Sequence, residues 1–243
     1  MERIRIQNVS KSFHIGSATP KTTLGKLLSV FSGKESDEVL YALRDISFTV
    51  EAGEIVGIIG KNGSGKSTLL RILAGIIQKD AGTVQTNGRV VAAIHLDAGV
   101  KDRLTMRGNI LLLSAFLGFG KKEAEAAFDS IINFSELADF ADTKWYQFSD
   151  GMKQRAVFAA SIHAQPDILL LDEAFAVGDE RFKQKGFEKI TELAAEGASV
   201  VLAGHQLGAL ERYCERVIWI DRGKIKMEGP SKEVIQVYMD YEG

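Results

Sequence analysis

Eight consecutive residues, Gly60-Lys61-Asn62-Gly63-Ser64-Gly65-Lys66-Ser67, fit the pattern G-x-x-x-x-G-K-[ST]. The residue types suit a polyphosphate. Gly60, Gly63 and Gly65, with Asn62 and Ser64 between them, form a loop whose backbone N–H groups can converge on phosphate oxygens. The helix that follows adds the partial positive charge of its N-terminus. In this reading Lys66 reaches the β- and γ-phosphates, Ser67 offers its hydroxyl to Mg²⁺, and Thr68 contacts the α-phosphate side. The pattern follows an apolar run, Glu54 to Ile59, and opens a helical stretch, which is the context its chemistry requires.

A second constellation lies about a hundred residues on. Ile168-Leu169-Leu170-Leu171 is a solid apolar run that ends in Asp172-Glu173. Unpaired carboxylates at the end of a buried strand are costly, and a magnesium ion would remove the difficulty. Asp172 then supports the Mg²⁺ shell, and Glu173 faces the γ-phosphate to orient or deprotonate an attacking water. Two acids simply leaving a strand for solvent is the plainer reading, and the phosphate loop is what argues against it.

The elements that must position these groups are legible as periodicities. Residues 3–9 alternate like an edge strand, residues 42–50 alternate again, and Val84 to His95 reads as further strand. Lys66 to Ile77 reads as a helix. From about 105 to 165 the pattern is helical, with Ala124, Ala127, Phe128, Ile131 and Ile132 on one face. After Pro166 come the central strand Ile168 to Leu171, a helix near 181–196 and a strand at Ser199 to Ala203. A hairpin then turns at Asp221-Arg222-Gly223, and a closing helix carries Val234, Ile235 and Tyr238. Residues 16–38 differ: a loop, a short amphipathic helix with Leu24, Leu27, Leu28 and Phe31, and a polar linker. The fold expected is α/β, a mixed sheet core with an antiparallel β subdomain and a helical subdomain. Its single domain spans 1–243: core 1–94 and 166–243, helical part 95–165, insertion 16–38.

Composition narrows the partners. The 243 residues carry a net charge of −2, with 45% hydrophobic and 26% charged residues, so no basic excess favours nucleic acid. The single cysteine, Cys214, can form neither an internal disulfide nor a cysteine-based metal site. The longest apolar stretch, Ile110 to Phe119, is broken by Ser114 and Gly118 and is short of the roughly 20 residues of a membrane helix.

Between the two motifs, Phe148-Ser149-Asp150-Gly151-Met152-Lys153-Gln154-Arg155 resembles the signature sequence of ABC ATPases, usually Leu-Ser-Gly-Gly-Gln. Ala176-Val177-Gly178-Asp179 matches the D-loop position, His205 the switch histidine, and Phe13 the aromatic that stacks on adenine, with Tyr41 as a rival. The resemblance covers nearly the whole chain. It implies a head-to-tail dimer in which ATP lies between the phosphate loop of one copy and Ser149 and Gly151 of the other. It also implies that His205 acts with Glu173 and Lys66 in hydrolysis.

The departures are informative. Asp150 replaces a glycine, Met152 replaces glutamine, and His95-Leu96-Asp97-Ala98-Gly99-Val100 lacks the Q-loop glutamine, for which Asp97 is a substitute metal-shell contact. With the insertion, these features are similar to the ATPase subunits of bacterial polysaccharide exporters. That resemblance implies export of O-antigen, capsule or teichoic-acid chains by a peripheral subunit on the cytoplasmic face of the inner membrane. Its partner would be an integral membrane permease that handles the glycan. The amphipathic helix of the insertion would pack on its own domain or sit near the permease. Some members add a C-terminal carbohydrate-binding domain, for which a chain ending at Gly243 leaves no room.

Overall fold

The structure, a computed structural model, describes residues 1–15, 38–94, 99–172 and 178–242. The expectations for the insertion, for His95 to Ala98, and for Glu173, Ala176 and Val177 fall outside these residues.

Strands β1 (Glu2–Ile15), β2 (Glu38–Glu51) and β4 (Ala81–Thr86) form an antiparallel sheet in the order β2-β1-β4. The first strand is therefore central, not an edge. Its alternation buries Ile4, Ile6 and Val9 on one face, and alternation reports which face is covered, not how many neighbours a strand has. The larger sheet runs β5 (Val90–Ala93), β6 (Ile168–Asp172), β7 (Ser199–Ala203), β3 (Ile55–Ile59), β8 (Arg216–Asp221) and β9 (Lys224–Pro230). All its pairings are parallel except that of β8 with β9. The stretch Val84 to His95 thus divides between two sheets, with Asn87, Gly88 and Arg89 as the crossing.

The inner positions of the parallel strands carry no charged side chain and are mostly apolar because both faces are covered. Val56, Ile58, Ile168, Leu170 and Val201 share a core with β1, β2 and helix α1 (Lys66–Leu73). Ile59, Leu169, Leu171, Val200 and Leu202 pack instead against α4 (Asp150–Ile162), α5 (Glu180–Ala195), α6 (Leu207–Tyr213) and α7 (Ser231–Glu242). Helix α1 ends at Leu73, short of Ile77, because Gly75 takes a left-handed conformation. A third core joins α2 (Met106–Phe116), α3 (Lys121–Ser135), Trp145 and Phe148 to α4. Helix α4 belongs to two cores: Phe158 and Ile162 face the sheet, while Ala156, Ala159 and Ala160 face the helical layer.

Candidate nucleotide site

The loop 60–65 leaves β3 and enters α1, whose first helical bond runs from Leu69 N–H to Gly65 O at 2.9 Å. Two glycines allow it to pack. Gly65 has φ +116°, and a Cβ there would lie 2.5 Å from the Ala42 carbonyl oxygen. Gly223, in the β8–β9 turn, has φ +78° and would meet the same oxygen at 2.8 Å. Gly223 also braces the loop through its backbone, donating to Ser64 O at 2.9 Å and accepting from Arg44 N–H at 2.7 Å. The turn and the start of β2 thus clamp the loop from outside its own sequence. Lys66 is buried, and its Nζ donates to Gly60 O at 2.7 Å and Lys61 O at 3.2 Å. These loop carbonyls hold the ammonium in place of an anion.

Sheet order gathers the other groups. Strands β6, β7 and β3 are neighbours and parallel, so their C-terminal ends share one edge. Asp172 pairs with Ala203, and Ala203 pairs with Ile58, two residues before the loop. Gly204 N–H reaches Ile58 O at 3.2 Å, and His205 then places Nε2 2.9 Å from Asn62 Oδ1. Asp172 is half-buried at its strand end.

A cavity of about 240 Å³ opens over the loop. Asn62, Gly63, Gly65, Lys66, Ser67 and Thr68 line it, together with Phe13, Leu40, Tyr41 and Ala42 from the β1–β2 pair. Apolar surface beside a cationic, N–H-rich loop suits a ligand with an aromatic base and a phosphate tail. Gly60 and Ser64 shape the loop without lining the cavity. Among the described residues no cluster of three or more His, Cys, Asp or Glu side chains would hold a metal unaided. A hydroxyl at Ser67 and one carboxylate at Asp172, completed by phosphate oxygens and water, instead fit the sparse protein shell of Mg²⁺.

Ser149 and Gly151 do not line this cavity. Ser149 is exposed and caps α4, its Oγ accepting from Met152 N–H at 3.2 Å. A Cβ on Gly151 would find its nearest neighbour 4.0 Å away, so its backbone is open to approach. Phe148 anchors this helix start edge-on to Trp145. Arg155, one and a half turns into α4, donates to Asp179 Oδ2 at 3.1 Å and to Glu136 Oε2 at 3.3 Å. Asp179 caps α5 through Phe182 N–H, and that bond first, then Arg155, holds its carboxyl below the usual range. The bracing roles of Ala42, Arg44 and Gly223 have no counterpart in the sequence reading. They are made by backbone atoms, and only the Gly in the 221–223 turn gave any signal.

Residues 43–176 match the family described as ABC transporter. The chain belongs to the ABC transporter family. Its ABC ATPase match runs from β2 through the phosphate loop and helical layer to the segment beyond Asp172, leaving His205 and the last hairpin outside. The chain is 37% identical over 244 residues to the O-antigen export system ATP-binding protein RfbB of Klebsiella pneumoniae, covering 97% of this chain and 96% of that protein. It is 40% identical over 245 residues to the Myxococcus xanthus protein of the same name, covering 99% and 56%. With the teichoic acids export ATP-binding protein TagH of Lactococcus lactis it shares 37% over 236 residues, 97% and 50%. The chain therefore spans about half the length of two of these relatives. The fold is that of solved ATP-binding cassettes. One is a dimeric post-hydrolysis state bound to ADP and Pi, with TM-score 0.76 at 22% identity, covering 94% of this chain and 98% of that one.

Proposed function

We propose that this ABC ATPase energises export of a polysaccharide or lipid-linked glycan through an integral membrane permease. In this reading one ATPase domain, with 95–165 as its helical part, sits on the cytoplasmic face of the inner membrane. None of the described helices is long and apolar enough to cross a membrane, so the permease would supply the path. The observation that carries the nucleotide part is the shared strand edge: phosphate loop, Asp172 and His205 emerge from adjacent parallel strands, and His205 already touches the loop through Asn62. The exporter part rests on the relatives, which are ATP-binding proteins of O-antigen and teichoic-acid export.

In the mechanism, Lys66 leaves the Gly60 and Lys61 carbonyls for the β- and γ-phosphates, exchanging neutral acceptors for anionic ones. Glu173 orients the attacking water, and His205 leaves Asn62 to contact the γ-phosphate. Mg²⁺, held by Ser67 and Asp172, supplies neutralisation of charge on the phosphate oxygens. A second copy presents Ser149, which is exposed, and Gly151, which is half-buried, at a helix N-terminus, and neither lines the cavity of its own chain. Hydrolysis removes the bridging γ-phosphate and the pair reopens.

The test is a Glu173→Gln variant in proteoliposomes with the permease. It should bind ATP, sediment as a closed dimer and fail to move lipid-linked glycan, while the unaltered chain transports it and hydrolyses ATP faster when glycan is present. Transport or turnover by Glu173→Gln at the unaltered rate would remove Glu173 from the chemistry. Turnover indifferent to every glycan would count against the exporter reading.

A further inference from the structure

The hairpin turn that clamps the phosphate loop also carries a concentration of positive charge. Arg44, Arg222, Lys224 and Lys226 line a cavity of about 570 Å³ together with Ile225 and one carboxylate, Asp221. None of these residues lines the nucleotide cavity. Asp221 lies 3.9 Å from Lys226, whose ammonium also sits over the rings of Trp219 and Tyr241. Among the described residues, no carboxylate pairs with Arg44, Arg222 or Lys224. Arg44 rests on the face of Tyr41, 4.6 Å from the ring centre, and keeps its charge. In a chain whose net charge is −2, this local excess needs a cause.

Protection of a sheet edge explains only part of it. Strand β9 is the last of its sheet, and lysines at 224 and 226 discourage a further strand from pairing there. Arg222 lies in the turn, however, and Arg44 comes from β2 in the other sheet. Arg222 also stands where its side chain is a poor choice. Its φ is +47° and that of Gly223 is +78°, the two left-handed residues that a tight hairpin turn requires. Asn or Asp suits the first of these positions better than Arg.

We propose that this cavity binds a phosphorylated group with at least two negative charges, a phosphate monoester or a diphosphate. The planar guanidinium forks of Arg44 and Arg222 match phosphate oxygens, and Lys224 adds a point charge. A lone carboxylate would leave most of the positive charge uncompensated. The group belongs either to a soluble phosphate compound or to the headgroup of an acidic lipid, with the same chemistry in both. Gly223 lies between Arg222 and Lys224, so the bound anion would sit on the turn that braces Ser64.

The experiment uses the full chain with its phosphate loop filled by a non-hydrolysable Mg·ATP analogue. Calorimetry measures binding of inorganic pyrophosphate, and sedimentation measures capture by phosphatidylcholine vesicles with and without phosphatidic acid. Arg222→Asn/Lys224→Gln should weaken binding of the probe about tenfold or more, as expected for lost hydrogen bonds to a charged group. Its affinity for the ATP analogue should stay within about twofold, since Asn at 222 suits the left-handed turn. Lys121→Gln/Lys122→Gln removes two exposed charges from α3 and should bind every probe like the unaltered chain. Pyrophosphate binding without vesicle capture would assign the site to a soluble phosphate compound. Capture that requires phosphatidic acid would assign it to a lipid headgroup. Binding of neither probe, or equal losses in the two double variants, would overturn the proposal. So would a matching loss of affinity for the ATP analogue in Arg222→Asn/Lys224→Gln, because the change would then act through the phosphate loop.

Discussion

His205 Nε2 stands 2.9 Å from Asn62 Oδ1, linking the loop after β7 to the second turn-forming residue of the phosphate loop across 143 positions of sequence. An amide oxygen only accepts, so Nε2 is the protonated nitrogen in this contact. The donor is therefore already aimed at the loop, and a γ-phosphate oxygen is a stronger acceptor than the Asn62 amide.

His205→Ala should lower ATP turnover by about 10²-fold, the effect of removing one preorganised donor from a phosphoryl-transfer site. The ATP Kd should change by less than about threefold, because the loop and Lys66 still hold the phosphates. Phosphate release and calorimetric binding, measured on one preparation, separate the two. A matching loss in both would mean that His205 only supports the loop.

Gly223→Ala should weaken the nucleotide site from a distance. The new methyl would lie 2.8 Å from the Ala42 carbonyl oxygen, at a backbone φ of +78°. We expect a loss of about 1–3 kcal/mol in chemical denaturation. We also expect weaker ATP binding, since Gly223 holds both Ser64 and Arg44. Unchanged stability and affinity would show that the turn does not brace the loop.

Cys214 provides a probe of unfolding. Burial pushes its thiol from 9.0 up to about 12, so the nucleophilic thiolate is scarce in the native protein. Iodoacetamide at pH 8.5 should modify it slowly, at a rate that follows unfolding as denaturant is added. Since the folded pKa is raised, the thiol's contribution to stability is complete below pH 9 and is lost as pH rises towards 12. Cys214→Ala should therefore lose less stability than the unaltered chain between pH 9 and 11. Rapid alkylation of the native protein would contradict the buried thiol.

The legible parts of this fold are those whose side chains carry the signal. Ile168 to Leu171 and Val200 to Ala203 are solid apolar runs because both faces are covered, and both fall in strands at the positions expected. Ser149 reads as a helix cap and is one. Val84 to His95 reads as further strand and contributes to two strands in different sheets, because the chain crosses between them in the polar stretch Asn87-Gly88-Arg89, with Gly88 packed on Asp167. The clamp on the phosphate loop was hidden for another reason. Ala42 O, Gly223 N–H and Arg44 N–H are main-chain groups that any sequence possesses, and only the tertiary path brings them to Ser64 and Gly65. Phe13 and Tyr41, the two candidates for adenine stacking, both line the cavity over the phosphate loop, with Phe13 paired to Leu40 and Tyr41 to Ser12.

The most direct test of the site is steady-state phosphate release from Mg·ATP by the unaltered chain and by Lys66→Ala, with thermal unfolding recorded for both. Lys66 is the one cation that the loop itself encloses, and its substitution should abolish measurable turnover and most ATP affinity while the variant still unfolds cooperatively. A cooperatively folded Lys66→Ala that released phosphate at the unaltered rate would contradict the account.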